Sequence, residues 1–280
     1  MNIHKTIKKA SKLLKSNNIK TAYLDSELLL SKVLSKDRSY ILLNSKKIVS
    51  KKYLSDFTHL IHRRKKGEPV AYLTNYKEFW KQKYFVNKDV LIPRPDTEVL
   101  IEETLEMFGD DKKLKILDIG TGSGCLLLSI LKERKNFLGV GIDISKKALK
   151  VACFNAKLQH LKNRVKFYNS DIDKFFIGKY DLILSNPPYI KNFDLKYLDE
   201  DVATYEPKVA LDGGRDGLSK ITKVIDKASC LIKKNGKLIL EIGYNQRNEI
   251  VKRLKDRKFY INKIIKDYGK NDRCIISTKI

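Results

Sequence analysis

Two shortages narrow this 280-residue chain at once. Its four cysteines, Cys125, Cys153, Cys230 and Cys274, stand far apart with no C-x-x-C pair. That argues against a disulfide scaffold and for a reduced, cytoplasmic protein. Long apolar runs are missing too: none approaches the roughly 18 to 20 residues that span a bilayer. The opening Met1-Asn2-Ile3-His4-Lys5 lacks the apolar segment of a signal peptide, so neither a membrane nor secretion is expected. His59 and His62 lie at helical spacing with no third ligand nearby, so no metal is expected either. Internal repeats and low-complexity stretches are absent.

Acidic residues are scarce, 33 against 58 basic ones, for a net charge of +25. Such an excess suits an anionic partner such as RNA or a ribonucleoprotein. The lysines are scattered rather than gathered, however, as compositional drift would leave them, and direct nucleic-acid binding stays open. An apolar content of 42% over this length supports a proper core.

Residues 1–68 read as a small helical domain. Ile3, Ile7, Ala10, Leu13 and Leu14 recur at helical spacing, as do Leu24, Leu28, Leu29 and Val33, and Ser50 is placed to cap a helix carrying Tyr53, Phe57, Leu60 and Ile61. Residues 69–92 turn aromatic and β-branched and read as a β-hairpin linker. Pro93 and Pro95 then fix an extended segment, with Asp96 as the expected cap of the helix carrying Val99, Leu100, Ile101 and Leu105. Residues 93–280 alternate strands and helices, which predicts an α/β fold: a mostly parallel sheet covered by helices on both faces. The last two strands, Phe259 to Ile265 and Arg273 to Lys279, flank the turn-rich Asp267-Tyr268-Gly269-Lys270-Asn271-Asp272 and predict an antiparallel hairpin at one sheet edge.

Three features of the α/β part carry chemistry. Asp118-Ile119-Gly120-Thr121-Gly122-Ser123-Gly124 closes one strand and opens a helix. Its glycines let backbone approach a ligand, but the spacing is G-x-G-x-G and no Walker lysine follows, so phosphate binding is not the natural reading. Asp143 ends the next strand, where a carboxylate can accept from both hydroxyls of a ribose; helix capping is its competing role, with Ser145 as the other cap. Asp171 follows the third strand and is placed to accept from an adenine amino group, with Asp173 its competitor. Together they describe an adenosine-containing cofactor, NAD or S-adenosylmethionine.

Ser185-Asn186-Pro187-Pro188-Tyr189 decides between them. Two prolines directly after the apolar run Tyr180 to Leu184 end a strand and hold Asn186 at its C-terminal edge, where ligands bind in open α/β sheets. The Asn186 amide oxygen and the Pro187 carbonyl can each accept one N–H of a planar NH₂ group, whose delocalised lone pair makes it a poor nucleophile. Tyr189 can pack its ring on that group. Positioning of this kind suits methyl transfer and has no evident use in hydride transfer.

The order of the glycine loop, Asp143 and Asn186-Pro187-Pro188-Tyr189 resembles the class I S-adenosylmethionine methyltransferases that act on planar nitrogen. Arg63-Arg64-Lys65-Lys66-Gly67-Glu68-Pro69, Glu78-Phe79-Trp80, Leu91 to Glu98, Tyr205-Glu206-Pro207 and Asp267-Tyr268-Gly269 narrow the resemblance to the PrmC/HemK family of release factor glutamine methyltransferases. That resemblance runs over essentially the whole chain. It implies a Rossmann-like methyltransferase domain with a seven-stranded sheet, and methylation of the glutamine amide in the Gly-Gly-Gln loop of class I release factors; a monomer is expected. It also implies that Gly120, Thr121, Gly122, Ser123, Gly124, Asp143, Asp171 and Asn186 hold the cofactor. Asn186, Pro187, Pro188, Tyr189 and Arg94 would meet the substrate. Ile172 stands where some members carry a large aromatic. The competing readings are a methyltransferase for the exocyclic amine of adenine or cytosine in nucleic acid, and a non-catalytic ribosome- or RNA-binding module.

Overall fold

The computed structural model describes residues 1–267 and 269–280; Tyr268, singled out in the Asp267-Tyr268-Gly269 turn, lies outside the described residues. The chain forms two compact units, residues 1–76 with 199–205, and residues 77–198 with 206–280.

The first unit is helical. Helices Ile3–Lys15, Ala22–Leu34, Lys51–Lys65 and the shorter Arg38–Leu43 and Val70–Thr74 close over Ile3, Ile7, Leu14, Leu29, Leu30, Phe57 and Ile61. Ser50 accepts from the Tyr53 amide as its helix begins. The basic motif after that helix has a structural task. Buried Arg64 pairs with buried Asp25 at 2.7 Å and donates to the Gly67 and Glu68 carbonyls, while Arg63 pairs with Glu68. A buried guanidinium costs several kcal/mol in order-of-magnitude terms unless paired, and here its donors are shared between a carboxylate and a tight turn. Gly67 makes that turn with φ of +91°.

Residues 70–74 correct the expected linker: they form a helix, with Pro69 at its N-cap and Ala71, Tyr72 and Leu73 buried, so the helical unit runs past residue 68. The hairpin is confined to β1 (Tyr76–Phe79) and β2 (Gln82–Phe85), joined at Trp80 and Lys81. Both turn residues have positive φ, 42° and 58°. The turn is held by Glu98, which accepts from the Trp80 amide, and by Glu133, which accepts from the Trp80 indole.

The second unit is built on a seven-stranded sheet. Its strands are β3 (Lys115–Ile119), β4 (Leu138–Asp143), β5 (Val165–Asn169), β6 (Tyr180–Ser185), β7 (Ile232–Glu241), β8 (Phe259–Lys266) and β9 (Asp272–Lys279), in the order β5-β4-β3-β6-β7-β9-β8. The first five are parallel; β9 runs antiparallel between β7 and β8, so the C-terminal pair forms the expected edge. Alternate residues of the central strands face opposite sides. Leu117, Ile183, Leu238 and Leu240 pack with helices Ser219–Leu231 and Arg247–Asp256. Ile116, Leu182, Leu184 and Ile239 pack with helices Glu98–Met107 and Cys125–Glu133. The chain runs β3, β4, β5 outward and then returns to β6 on the other side of β3. The crevice beyond the C-terminal ends of β3 and β6 is therefore the switch point at which such sheets bind ligands.

Candidate active site

Gly120, Gly122 and Gly124 follow β3 with φ of 76°, 55° and 79°, a left-handed run that residues with a Cβ adopt only under strain. The Gly120 and Thr121 amides both donate to the Ile142 carbonyl, which folds the loop back on β4. Thr121 donates at 2.6 Å to Asp118, whose carboxyl burial raises to about 7. Gly124 opens helix Cys125–Glu133, where an added Cβ would lie 3.1 Å from Leu128 and 3.3 Å from Ala152.

Asp143 ends β4 and binds the loop. One carboxylate oxygen accepts from the Gly122 amide at 2.9 Å and the other from the Ser145 amide at 2.8 Å. Burial raises its pKa, and the two amide donors oppose the rise. Helix Lys146–Leu158 is capped by Ser145, whose hydroxyl accepts from Ala148. Asp143 is thus free of capping duty toward that helix.

Gly120, Gly122, Asp143, Asp171, Asn186 and Pro187 line one cavity of roughly 200 Å³. Its walls continue through Ile142, Ile172, residues 89–91 and residues 207–210. Asp171 lies on the cavity, whereas its competitor Asp173 pairs with Lys223. Thr121, Ser123 and Gly124 are not in the lining: Thr121 and Ser123 are buried, and Gly124 lies against Leu128 and Ala152.

Asn186 follows β6 and lines the cavity with Pro187 and Pro188. Tyr189 does not. Its hydroxyl is turned inward and donates to Glu241 at 3.2 Å, and burial beside that carboxylate raises its pKa. Its hydroxyl is thereby anchored at the buried carboxylate of Glu241. Arg94 is likewise outside the lining and pairs at 2.5 Å with Glu206, which also accepts from the Ile92 amide. Arg94 pins the Ile92–Pro95 segment to residue 206. Asp96 does not cap the following helix; it lies 3.6 Å from Arg273.

Several further residues hold this site together. Asn155 accepts from the Phe85 amide and donates to the Phe85 and Ser123 carbonyls, tying β2 to the glycine loop. Gln246 donates to the Tyr189 and Gly217 carbonyls, clamping the turn after Pro188. Gly217 sits so close that an added Cβ would lie 2.6 Å from the Tyr189 oxygen. Buried Thr97 receives the Asn186 amide at 3.0 Å and donates to buried Glu241 at 2.6 Å. The Gly213–Gly217 spacing could have signalled a tight backbone approach; Thr97 stood inside the Leu91 to Glu98 segment with no chemistry read from it, and Glu241 carried no signal.

No group of three or more His, Cys, Asp or Glu among the described residues can hold a metal, and His59 and His62 are both exposed. No helix among the described residues is long and apolar enough to cross a membrane.

The PrmC N-terminal domain family matches residues 5–74, and a methyltransferase domain family matches residues 110–276. Among curated proteins, the chain is 36% identical to the release factor glutamine methyltransferase of Clostridium acetobutylicum, over 100% of this chain and 99% of that one. It is 37% identical to that of Buchnera aphidicola subsp. Acyrthosiphon pisum, again over 100% and 99%. Among solved structures, a methyltransferase from Pyrococcus furiosus shares the fold, with a TM-score of 0.54, 19% identity, and coverage of 80% of this chain and 98% of that one.

Proposed function

Because the chain belongs to the release factor glutamine methyltransferase family, we propose that it transfers a methyl group from S-adenosylmethionine to the side-chain amide nitrogen of the Gly-Gly-Gln glutamine in class I peptide chain release factors. The observation that carries this reading is the placement of Asn186 and Pro187 on the same cavity as Gly120, Gly122 and Asp143. One set suits a planar NH₂ group and the other an adenosine.

The cavity residues fit the cofactor. An added Cβ at Gly120 would meet no protein atom within 4 Å, so the space before this backbone is open. A carboxylate has about four lone-pair sites. Asp143 commits two of its sites to Gly122 and Ser145, which leaves acceptors for both ribose hydroxyls. Asp171 would take the adenine amino group, and Ile142 and Ile172 provide apolar wall.

S-adenosylmethionine supplies, when bound, an electrophilic methyl on a sulfonium. The chain's part is to hold the acceptor. Asn186 Oδ1 and the Pro187 carbonyl accept the two N–H bonds of the glutamine amide, which orients its nitrogen and stabilises the positive charge that grows there. Pro187 and Pro188 keep this turn rigid and partly dry. Thr121, Ser123 and Gly124 act through loop shape, Tyr189 and Arg94 through the contacts that fix the turn and residues 92–95. The helical unit, with its basic surface, selects the release factor. We place the enzyme in the cytoplasm as a monomer, in keeping with four free cysteines.

Purified protein is expected to transfer labelled methyl to a release factor and not to one whose loop glutamine is changed to alanine. Label in RNA or DNA instead would replace this reading with methylation of a base amine, which the +25 charge would then explain.

A further inference from the structure

Asn186 is useful only in one of its two amide orientations. Its Oδ1 must face the substrate, yet oxygen and nitrogen have nearly the same shape, so packing alone cannot choose between them. The choice is made behind the cavity wall. Asn186 Nδ2 donates to Thr97 Oγ1 at 3.0 Å, and the Thr97 hydroxyl spends its single proton on Glu241 Oε2 at 2.6 Å. A hydroxyl committed as donor to a carboxylate presents only lone pairs to its other neighbour. Thr97 can therefore face the NH₂ end of Asn186 and not the oxygen. The other Glu241 oxygen accepts from Tyr189, whose hydroxyl in turn lies 3.4 Å from Arg273. Both Thr97 and Glu241 are buried, at 4% and 1% exposure, so no bulk water competes for these bonds.

We propose that Thr97 and Glu241 are positioning residues that fix the amide of Asn186 with its oxygen toward the substrate. The inference rests on the methyl-transfer reading of the same site but concerns residues that touch neither substrate nor cofactor. Glu241 sets the polarity once ionised, above about pH 7, because its two oxygens then accept from Thr97 and Tyr189 and neither can donate. Thr97 passes it on. Asn186 is left with an Oδ1 that has no donor among the described residues.

Thr97→Val removes the hydroxyl at nearly constant shape, and Thr97→Ser keeps it. The side-chain NH₂ protons of Asn186, followed by nitrogen-15 NMR in the free protein, are expected to exchange with water at least about tenfold faster in Thr97→Val, since one bond that ordered them is gone. Exchange in Thr97→Ser should stay within about threefold of wild type. With a release factor as substrate, kcat should fall about 10- to 100-fold in Thr97→Val and recover in Thr97→Ser, with KM for the release factor moving far less. Unchanged NH₂ exchange in a folded Thr97→Val protein would overturn the inference, whatever the activity. So would a wild-type kcat in that variant. Failure of the wild-type protein to methylate any release factor would instead count against the proposed reaction, and the NMR result would still decide the orientation.

Discussion

Removing the Asp143 carboxylate should cost the enzyme its cofactor affinity by an amount that can be bounded from the site. Two of its acceptor positions are filled by the Gly122 and Ser145 amides, at 2.9 and 2.8 Å, and the residue lines the cavity. A hydrogen bond to a charged group contributes about 1.5–3 kcal/mol net, so two ribose hydroxyls together would lose about 3–6 kcal/mol. Water entering the space of Asp143→Ala recovers part of that at a half-buried residue, leaving about 2–4 kcal/mol, or roughly 30- to 1000-fold in Kd. The assay is calorimetric titration of S-adenosylhomocysteine into each protein. Because the substitution also frees the Gly122 amide, a loosened loop could weaken binding by itself. The same titration with an analogue lacking the ribose 2′-hydroxyl separates the two effects. If the carboxylate meets that hydroxyl, the two deletions should be non-additive by about 1 kcal/mol or more. A Kd within threefold of wild type, or strict additivity, would refute the assignment of Asp143 to the ribose.

Asn186→Ala should lower kcat by about 100-fold or more through lost orientation while S-adenosylhomocysteine binding changes little; equal turnover in a methyl-transfer assay would contradict it. Gly217→Ala should destabilise the protein by at least about 2 kcal/mol. Its φ is +75° and its Cβ would crowd the Tyr189 carbonyl, so a denaturation midpoint equal to wild type would count against the clamp on this turn. Burial raises Glu241 from 4.5 to about 7 against the pull of Arg273, with Thr97 and Tyr189 donating to it and Asp96 nearby. Its folded pKa lies above its unfolded one, so this group favours the fold most below pH 4.5 and stability drains away as pH rises to about 7. Denaturation of Glu241→Gln should lack that component, and its stability relative to wild type should improve across the same range.

Much of the site was legible because chain order and spatial order coincide there. Asn186 directly follows an apolar strand and precedes two prolines, and Asp143 directly ends the neighbouring strand, so position along the chain stood in for position on the sheet edge. The glycine loop was legible for the same reason, although of residues 120–124 only Gly120 and Gly122 line the cavity. What escaped notice depends on contacts across long separations. Thr97 and Glu241 are 144 residues apart, Phe85 and Asn155 are 70 apart, and Arg94 and Glu206 are 112 apart. Each looks alone like a cap, a surface charge or a solvated amide. Residues 70–74 were misread for a different reason: Val70, Tyr72 and Thr74 have strand-favouring side chains, and burial of Ala71, Tyr72 and Leu73 outweighed that weak local preference. Tyr189 shows the converse. Its place after the two prolines was legible, but the hold of its hydroxyl on a buried carboxylate 52 residues away was not.

The separation between Thr97 and Glu241 has a consequence for how the enzyme comes into being. A chain still being synthesised, with β3 to β6 already emerged, would carry its glycine loop, Asp143 and the Asn-Pro-Pro-Tyr turn in full. It would still lack β7, and with it the carboxylate that gives the Thr97 hydroxyl its direction. Contacts of such long sequence separation close late, because their loop entropy must be met first. The residues proposed to meet the methyl acceptor are thus present well before they are set. On the proposed role of Glu241, a chain truncated before residue 241 would keep its motif and lose the contact that aims it.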